Sequence, residues 1–305
     1  MSMSGPPAAA PAAARPINLA AVAVILVLSL SWGFNQVAVK LAIHDIPPLI
    51  QSAIRSCGAA LIVVAWMRAR GIPLDVRDGT LLPGIAAGVL FALEFVFIYR
   101  GLVWTTAIRA VLFIYMAPFF VALGARWFLP AERLGTSQWL GLALSFIGVA
   151  IAIGVPRPAA DRWEMVGDLM MIGAAASWGA TTLVIKASAL ARTAPERTLL
   201  YQLIVSAPLL GLAALAVGER LQAAPSGLAL VSLAYQTVWV VGITFGVWFA
   251  LMVRYSASRI SAFTFLTPLF GVAAGHVVLG EPVSPAFAAA VALVAAGLVL
   301  VNRRG

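Results

Sequence analysis

The chain contains an internal repeat, and this repeat constrains its fold more than any other feature. The tripeptide Ser31-Trp32-Gly33 recurs 146 residues later as Ser177-Trp178-Gly179. Further pairs of matching residues lie at offsets of 146 to 150 residues: Lys40 and Lys186, Arg109 and Arg259, Pro118 and Pro268, Glu132 and Glu281. The sequence therefore predicts two related halves joined in tandem with small insertions.

The composition of the 305 residues is that of a membrane protein. Hydrophobic residues make up 62% and charged residues 10%, with a mean hydropathy of +1.01. A soluble domain has about 25% charged residues, so most of this surface must face lipid. The net charge of +9 is explained by cationic cytoplasmic loops, and no nucleic-acid partner is expected. The single Cys57 excludes a disulfide framework.

Apolar runs, broken by charge, proline and glycine, predict an all-α integral membrane protein with ten transmembrane helices. Residues 1–16 are expected to form a disordered cytoplasmic tail, 17–155 the first five-helix repeat and 156–305 the second. The apolar run from residue 17 is too long for a signal peptide and is taken as the first span. The predicted spans are 17–40, 48–67, 80–99, 107–128, 136–154, 168–187, 198–217, 228–250, 260–279 and 284–301.

The distribution of Lys and Arg predicts that both termini lie in the cytoplasm. With that orientation 13 cationic residues lie on the cytoplasmic side and 6 on the outside, as the positive-inside rule requires. Five spans is an odd number, so the second repeat enters the membrane from the opposite side. Such an inverted repeat suits alternating access, and we expect a multi-pass protein of a bacterial inner membrane.

The paired tryptophans are candidate walls of a central cavity. Trp32 and Trp178 lie well inside their predicted spans, and Asn35 and Thr181 follow one turn later on the same helix faces. An aromatic plane beside a hydrogen-bonding group, presented from both repeats, would suit a small-molecule site. The alternative is a tryptophan packed between helices with its indole N–H bonded to a neighbour.

Glu94 is the only acidic residue deep within a predicted span. An intramembrane charge costs at least about 2.5–3.5 kcal/mol, so Glu94 should face the interior, be protonated or have a partner. It could bind a substrate ammonium, carry a coupling proton or pair structurally with Arg55. Arg55 could itself pair with a helix or with a substrate carboxylate. His276 is intramembrane, and for it a packing or hydrogen-bonding role is expected.

Pro118 and Pro268 occupy equivalent places in predicted spans four and nine. Proline removes a helical hydrogen bond and kinks a helix, so both could curve the helices around a cavity or act as gates. Tyr115 and Phe265 precede them by three residues on the same faces and are further lining candidates.

The sequence offers little support for an enzyme. It has no GxSxG or HExxH motif, and its two histidines are too few for a zinc site or a bis-histidine haem. No metal, cofactor or nucleotide-binding motif is therefore expected. A membrane enzyme acting on a lipid-linked substrate remains the alternative from another functional class.

Several motifs together resemble the drug/metabolite transporter superfamily, in its EamA-type ten-helix branch. They are the two Ser-Trp-Gly tripeptides, Arg55, Thr105-Thr106-Ala107-Ile108-Arg109, Ser256-Ala257-Ser258-Arg259, Thr267-Pro268 and Gly280-Glu281-Pro282. The resemblance covers residues 17 to 302 and implies ten spans in inverted repeats around a substrate cavity. Bacterial members of this kind are mostly exporters of amino acids and related metabolites.

Within that branch, the aromatic amino-acid exporters of the YddG type match at Trp32 and Trp178. They differ where this chain has Ala117 before Pro118 and Leu93 before Glu94, since both places hold an aromatic residue there. The resemblance implies an amino-acid exporter, aromatic cargo first, with a broad drug or organic-cation exporter as the alternative. Facilitated diffusion and proton antiport both remain open, and a monomer without an obligate protein partner is expected.

Overall fold

Every regular element that the structure describes is helical. The computed structural model describes residues 18–128, 135–153, 161–254, 266–283 and 285–302, and within these ranges there is no β-strand. The helices are α1 (Leu19–Ile43), α2 (Pro48–Ala69), α3 (Leu81–Gly101), α4 (Ala107–Ile114), α5 (Ala117–Phe128), α6 (Thr136–Ile153), α7 (Arg162–Lys186), α8 (Pro195–Ala216), α9 (Gly227–Ala234), α10 (Phe245–Arg254), α11 (Leu266–Leu279) and α12 (Pro285–Asn302). The prediction of an all-α protein is confirmed for these ranges, and the predicted tail at 1–16 lies outside them.

Among the described residues, seven helical segments are long and apolar enough to cross a membrane, which confirms the prediction of a membrane protein. They are Leu19–Ile43, Pro48–Ala69, Leu81–Gly101, Ala107–Gly124, Arg162–Lys186, Pro195–Ala216 and Gly227–Trp248. The fourth is interrupted, since α4 ends at Ile114 and α5 begins at Ala117. The seventh passes from α9 to α10 through a π-helical stretch, Tyr235–Thr244. The predicted spans at 136–154, 260–279 and 284–301 overlap α6, α11 and α12, which are not among the seven, and residues 154, 260–265 and 284 lie outside the described ranges.

The repeat in the sequence produces matching helices, which α2 and α8 show most directly. Each has 22 residues, and α8 begins at Pro195, 147 positions after α2 begins at Pro48. Proline suits the first turn of a helix because the N–H that it lacks would have no intrahelical acceptor there. Each helix ends just before a glycine with positive φ, 65° at Gly71 and 74° at Gly218. Only glycine takes this left-handed conformation without steric cost.

Helices from the two halves interlock. The carboxyl end of α3 packs on the amino end of α7, where a Cβ on Gly101 would lie 2.5 Å from the Met171 side chain. Further back along α3, the Phe97 ring lies 3.1 Å from where a Cβ on Gly173 would be. The residue numbers fall along α3 while they rise along α7, so the two helices are antiparallel.

The symmetry-related contact between the halves joins α1 to α9 and α10, which together form the third spanning segment of the second half. Ile46, just beyond α1, packs with Ala229 of α9, whereas Leu28 packs with Leu251 of α10. These two helices also run antiparallel. The first helix of each half therefore lies against the third spanning segment of the other half, in the same relative direction.

The glycine of each Ser-Trp-Gly tripeptide marks a close approach of two backbones. A Cβ on Gly33 would lie 2.7 Å from both the Gly271 nitrogen and the Thr267 carbonyl oxygen of α11. A Cβ on Gly179 would lie 2.7 Å from the Phe120 Cβ of α5. Because real Cβ atoms do not approach this closely, glycine is required for α1 to cross α11 and for α7 to cross α5.

Charged groups join the two halves where α4 begins. The Glu281 carboxylate accepts hydrogen bonds from the backbone N–H groups of Ala107 at 2.8 Å and Ile108 at 2.9 Å. It satisfies donors that a helix amino terminus leaves unpaired and lies at the positive end of the helix dipole. The Lys40 Nζ lies 3.5 Å from the same carboxylate and donates to the Thr105 carbonyl oxygen at 2.7 Å.

A second ion pair at this end connects α4 to α7. The Arg109 guanidinium pairs with the Asp168 carboxylate, which also accepts a hydrogen bond from the Thr105 hydroxyl at 2.6 Å. Glu164 lies 3.5 Å from the Arg109 Nε. Charged side chains therefore join α1, α4, α7 and the loop between α11 and α12 at this end of the bundle.

Candidate functional site

Tyr115 and Trp178 meet where the fourth spanning segment is interrupted. Tyr115 caps the end of α4, and its ring centre lies 6.4 Å from that of Trp178 in an edge-to-face arrangement. Trp178 keeps 40% of its surface exposed although it lies in the middle of α7. Tyr115 belongs to the first half and Trp178 to the second, so this aromatic pair stands at the contact between the halves.

Trp32 has different surroundings from Trp178. Its indole N–H donates to the Thr244 hydroxyl oxygen at 2.8 Å, and its ring lies 6.0 Å from the Phe245 ring and 5.3 Å from that of Trp248. This is the packed geometry that the sequence left as the alternative. The two indoles are not in ring contact, so the structure does not bring the Trp32–Trp178 pair face to face.

Asn35 and Thr181, which follow the tryptophans by one turn, also differ. Asn35 is half-buried, and its buried side-chain oxygen accepts no hydrogen bond from a protein group. Thr181 is buried and donates its hydroxyl to the Ser177 carbonyl oxygen at 2.9 Å within its own helix. Asn35 thus retains a free acceptor in the interior, whereas the Thr181 donor is satisfied locally.

Glu94 and Arg55 are both buried, at 7% and 2% exposure, yet they do not form an ion pair with each other. The Arg55 guanidinium instead lies over the Phe95 ring, 3.7 Å from its centre, and 5.8 Å from the centre of the Tyr99 ring. Phe95 directly follows Glu94 in α3, so Arg55 and Glu94 lie on neighbouring parts of the interior. A closed structural ion pair, one of the roles left open by the sequence, is not the arrangement in the structure.

A stripe of unpartnered polar groups runs along α2 beside Arg55. Neither the Nε nor the Nη2 of Arg55 has a hydrogen-bond partner, and the same holds for three further buried side-chain oxygens: Gln51 Oε1, Ser52 Oγ and Ser56 Oγ. These three residues are not among the site residues predicted from the sequence. The signal was present, because polar residues at 51, 52, 55 and 56 share one face of an otherwise apolar helix.

The π-helical stretch contributes to the same polar interior. Gln236 accepts a hydrogen bond from the Tyr99 hydroxyl at 2.6 Å, while its own amide nitrogen has no partner. Trp239 donates its indole N–H to the Ser31 hydroxyl oxygen at 2.9 Å. Stretches of π-helix are rare and occur often at functional sites. Hydrophobic periodicity does not distinguish a π-helix from an α-helix, so the sequence does not predict this stretch.

The remaining candidates lie near the helix breaks. Pro118 is the second residue of α5, immediately after the interruption, and Pro268 is the buried third residue of α11. Phe265 lies outside the described residues. The His276 Nδ1 is 2.8 Å from the Glu281 carbonyl oxygen, which fits the hydrogen-bonding role expected for it. Among the described residues no cluster of His, Cys, Asp or Glu could hold a metal ion.

Comparisons with known proteins agree with this architecture. The model of the EamA-like transporter family matches the chain twice, at residues 19–154 and 165–303. A protein of Salmonella typhimurium named a probable amino-acid metabolite efflux pump is 27% identical over 90% of this chain and 92% of its own length. The protein of that name from Escherichia coli is 24% identical over 84% of this chain and 86% of its own length.

A solved crystal structure supports the fold alone. It superposes with a TM-score of 0.66 at 22% sequence identity, covering 92% of this chain and 97% of that chain.

Proposed function

This chain belongs to the EamA-like transporter family. We propose that it exports amino acids and related metabolites across a bacterial inner membrane, with aromatic amino acids as its preferred substrates. It is a multi-pass membrane transporter with a small-molecule substrate. The names of the Salmonella and Escherichia coli relatives support an amino-acid metabolite as that substrate. We assign it no enzymatic activity and no cofactor.

The observation that carries this proposal is the buried polar interior beside Glu94 and Arg55. Within a bilayer, no bulk water satisfies an isolated polar group, and each unpaired one costs several kcal/mol. A chain that only had to span the membrane would gain stability from apolar side chains at these places. Buried ionisable groups that form no ion pair with a described residue are expected where a transporter binds its substrate.

The preference for aromatic cargo is supported by Tyr115 and Trp178. Their edge-to-face contact leaves part of the Trp178 ring uncovered, and an aromatic substrate could add a third ring. The proposed lining comprises Trp32, Asn35, Glu94, Tyr115, Trp178, Thr181 and Phe265. Trp32 would hold the wall from behind, through its contacts with α10.

Two opposed halves of five spans each are supported by the antiparallel contacts between them. The connection between α1 and α2 and that between α2 and α3 are short, so α1 and α3 point the same way. Since α7 is antiparallel to α3, it also points opposite to α1, its counterpart in the repeat. We therefore propose ten spans in inverted repeats that work by alternating access, with Pro118 and Pro268 at the moving segments.

We further propose that both termini are cytoplasmic, because 13 cationic loop residues then lie inside and 6 outside. A reporter fused to the carboxyl terminus should be active in the cytoplasm. A fusion that is active only in the periplasm would show that either the span count or the orientation is wrong.

We propose facilitated diffusion as the mode of energy coupling. The sequence has no nucleotide-binding motif, and Glu94 is the one plausible proton carrier inside the membrane. Flux should then be unaffected by an imposed pH gradient, and Glu94→Gln should retain some transport. Strong pH-driven flux that the mutant loses would instead establish proton antiport.

Counterflow of labelled substrates in proteoliposomes tests the function itself. We expect saturable flux of aromatic amino acids, weaker flux of aliphatic ones, and none in vesicles that lack the protein. Saturable flux of quaternary cations without any amino-acid flux would favour an organic-cation exporter. Turnover of a lipid-linked substrate, with no flux, would favour an enzyme.

A further inference from the structure

We propose that Arg55 and Glu94 together bind the charged ends of a zwitterionic α-amino acid, Arg55 its carboxylate and Glu94 its ammonium. This inference rests on the proposed function, since it assigns the charged groups of that transporter's substrate to two residues. It is carried by the state of the Arg55 side chain, which is buried, held in place and without a hydrogen-bond partner at two of its nitrogens.

The Arg55 guanidinium presents a free edge of the right shape for a carboxylate. Its Nε and Nη2 atoms are the two buried nitrogens that have no partner. These adjacent N–H groups form one side of the guanidinium fork and can donate to both oxygens of one carboxylate. The ring of Phe95, 3.7 Å below, holds the guanidinium plane. Arg55 is thus preorganised to accept a planar anion.

Glu94 provides the opposite charge at a suitable place. It is buried, it forms no ion pair with a described residue, and it directly precedes Phe95, the residue over whose ring the Arg55 guanidinium lies. Were the two side chains in direct contact, they would neutralise each other and close the site. Separated as they are, they can be bridged by a ligand that bears an anion and a cation close together. An α-amino acid has both on one carbon atom.

The pairing also predicts selectivity by charge. A zwitterion supplies one partner to each buried charge and adds no net charge to a medium of low dielectric. An amine would leave Arg55 unpaired, and a carboxylic acid would leave Glu94 unpaired. An uncompensated buried charge is strongly destabilising, so both partial ligands should bind much more weakly than the amino acid.

Other groups on α2 can complete the hydrogen bonding. Ser52 and Ser56 flank Arg55 with hydroxyl oxygens that have no partner. The Gln236 amide nitrogen, also unpartnered, belongs to the π-helical stretch that packs on α2. An ammonium needs three acceptors and a carboxylate up to four donors, so these groups supply what two charged side chains alone cannot.

The test compares three ligands that share one ring. L-Phenylalanine, 2-phenylethylamine and 3-phenylpropionate differ only in whether they contain the carboxylate, the ammonium or both. Binding to the purified full chain should favour phenylalanine over either partial ligand by about 30-fold or more, the equivalent of about 2 kcal/mol. Each ratio is measured within one protein sample, so it does not depend on the fraction that is folded.

Two variants assign the charges. In Arg55→Gln the preference for phenylalanine over the amine should fall to a few-fold, while the preference over the acid falls less. In Glu94→Gln the pattern should reverse. Arg70→Gln is the matched control, because Arg70 caps the carboxyl end of the same helix and also stacks on an aromatic ring. Its guanidinium lies 4.9 Å from the centre of the Trp66 ring, but the side chain is exposed. It should leave both ratios unchanged.

The outcomes separate this inference from the function on which it rests. The zwitterion site would be overturned if phenylalanine bound no better than the amine or the acid, or if both affinity ratios were unchanged in both variants. Neither result would contradict amino-acid export. Absence of binding and flux for every amino acid would overturn the proposed function, and the site with it. Arg55→Lys provides a further check, because a restored charge without the bidentate edge should recover only part of the ratio.

Discussion

The Trp32 indole N–H donates a hydrogen bond to the Thr244 hydroxyl oxygen at 2.8 Å, and this bond ties the first helix of one half to the third spanning segment of the other. The Thr244 hydroxyl in turn donates to the Val240 carbonyl oxygen inside the π-helical stretch. Trp178, at the equivalent place in the second half, lies instead against Tyr115 with much of its ring uncovered. Residues that match in sequence therefore differ in their surroundings.

This difference predicts opposite consequences for the two tryptophans. Trp32→Ala should lower the free energy of unfolding by about 3–5 kcal/mol, because it leaves a cavity between α1 and α10 and removes the hydrogen bond that the Thr244 hydroxyl oxygen accepts. Trp178→Ala should leave folding largely intact and lower the affinity for aromatic amino acids about two- to thirteen-fold. This is the equivalent of about 0.5–1.5 kcal/mol of ring stacking.

Thermal unfolding in detergent and affinities for phenylalanine and leucine measure both effects. Leucine is the control ligand, since it cannot use the ring face and should lose less affinity in Trp178→Ala. Equal losses for both ligands, together with a large fall in stability, would show that Trp178 is a packing residue as well.

The positions of the helices could be predicted from the sequence because the sequence features that mark a helix lie within the helix and at its ends. An apolar run between charges or prolines marks a span, and the spans predicted at 48–67 and 198–217 coincide with α2 and α8. The interruption at Tyr115 and Met116 was predicted only as a kink at Pro118. Proline lacks the N–H that would bond to a carbonyl oxygen in the preceding turn, but whether a helix bends or breaks there depends on its tertiary contacts.

The candidate site was less accessible to the same reasoning because its partners are distant in the chain. Glu94 and Arg55 stand out singly as charges in apolar helices, whereas the stacking of Arg55 on Phe95 depends on how α2 meets α3. The bond from Tyr99 to Gln236 joins residues 137 positions apart. No pattern within one helix specifies such a contact.

The glycines of the two tripeptides should be intolerant of any side chain. Gly33→Ala and Gly179→Ala each place a methyl group 2.7 Å from atoms of the crossing helix, so the helices must separate. Overpacking of this kind costs about 1–3 kcal/mol and should lower the melting temperature. Gly211→Ala is the matched control inside α8, where nothing beyond the adjacent backbone of the same helix lies within 4 Å of the new Cβ. It should be neutral or stabilising by up to about 1 kcal/mol. Unchanged melting of Gly33→Ala would contradict the close crossing.

Removal of the Glu281 carboxylate should destabilise the charged end of the bundle. Glu281→Ala leaves the N–H groups of Ala107 and Ile108 without an acceptor and Lys40 without its carboxylate partner. We expect a loss of about 1–3 kcal/mol in the free energy of unfolding. Glu164→Gln is the control, since the Glu164 side chain is 39% exposed and its ion pair should contribute less than about 1 kcal/mol. Chemical unfolding of both variants would measure the difference, and equal losses would argue against a capping role.

The loop between α2 and α3 should make stability depend on pH in the acid range. The Thr80 hydroxyl donates to the Asp78 carboxylate at 2.5 Å and Arg197 pairs with it, so the pKa of Asp78 falls from its ordinary 3.8 to about 2. A carboxyl whose pKa is lower when folded stabilises the protein above its unfolded pKa. That stabilisation is lost as the pH falls through the folded value.

The stability difference between the wild type and Asp78→Asn should therefore be constant above about pH 5 and should shrink between pH 3.8 and about 2. Thermal unfolding across this range measures it, with Asp75→Asn as a control in the same exposed loop. A difference that stays constant down to pH 2 would show that the charge of Asp78 contributes nothing to the fold.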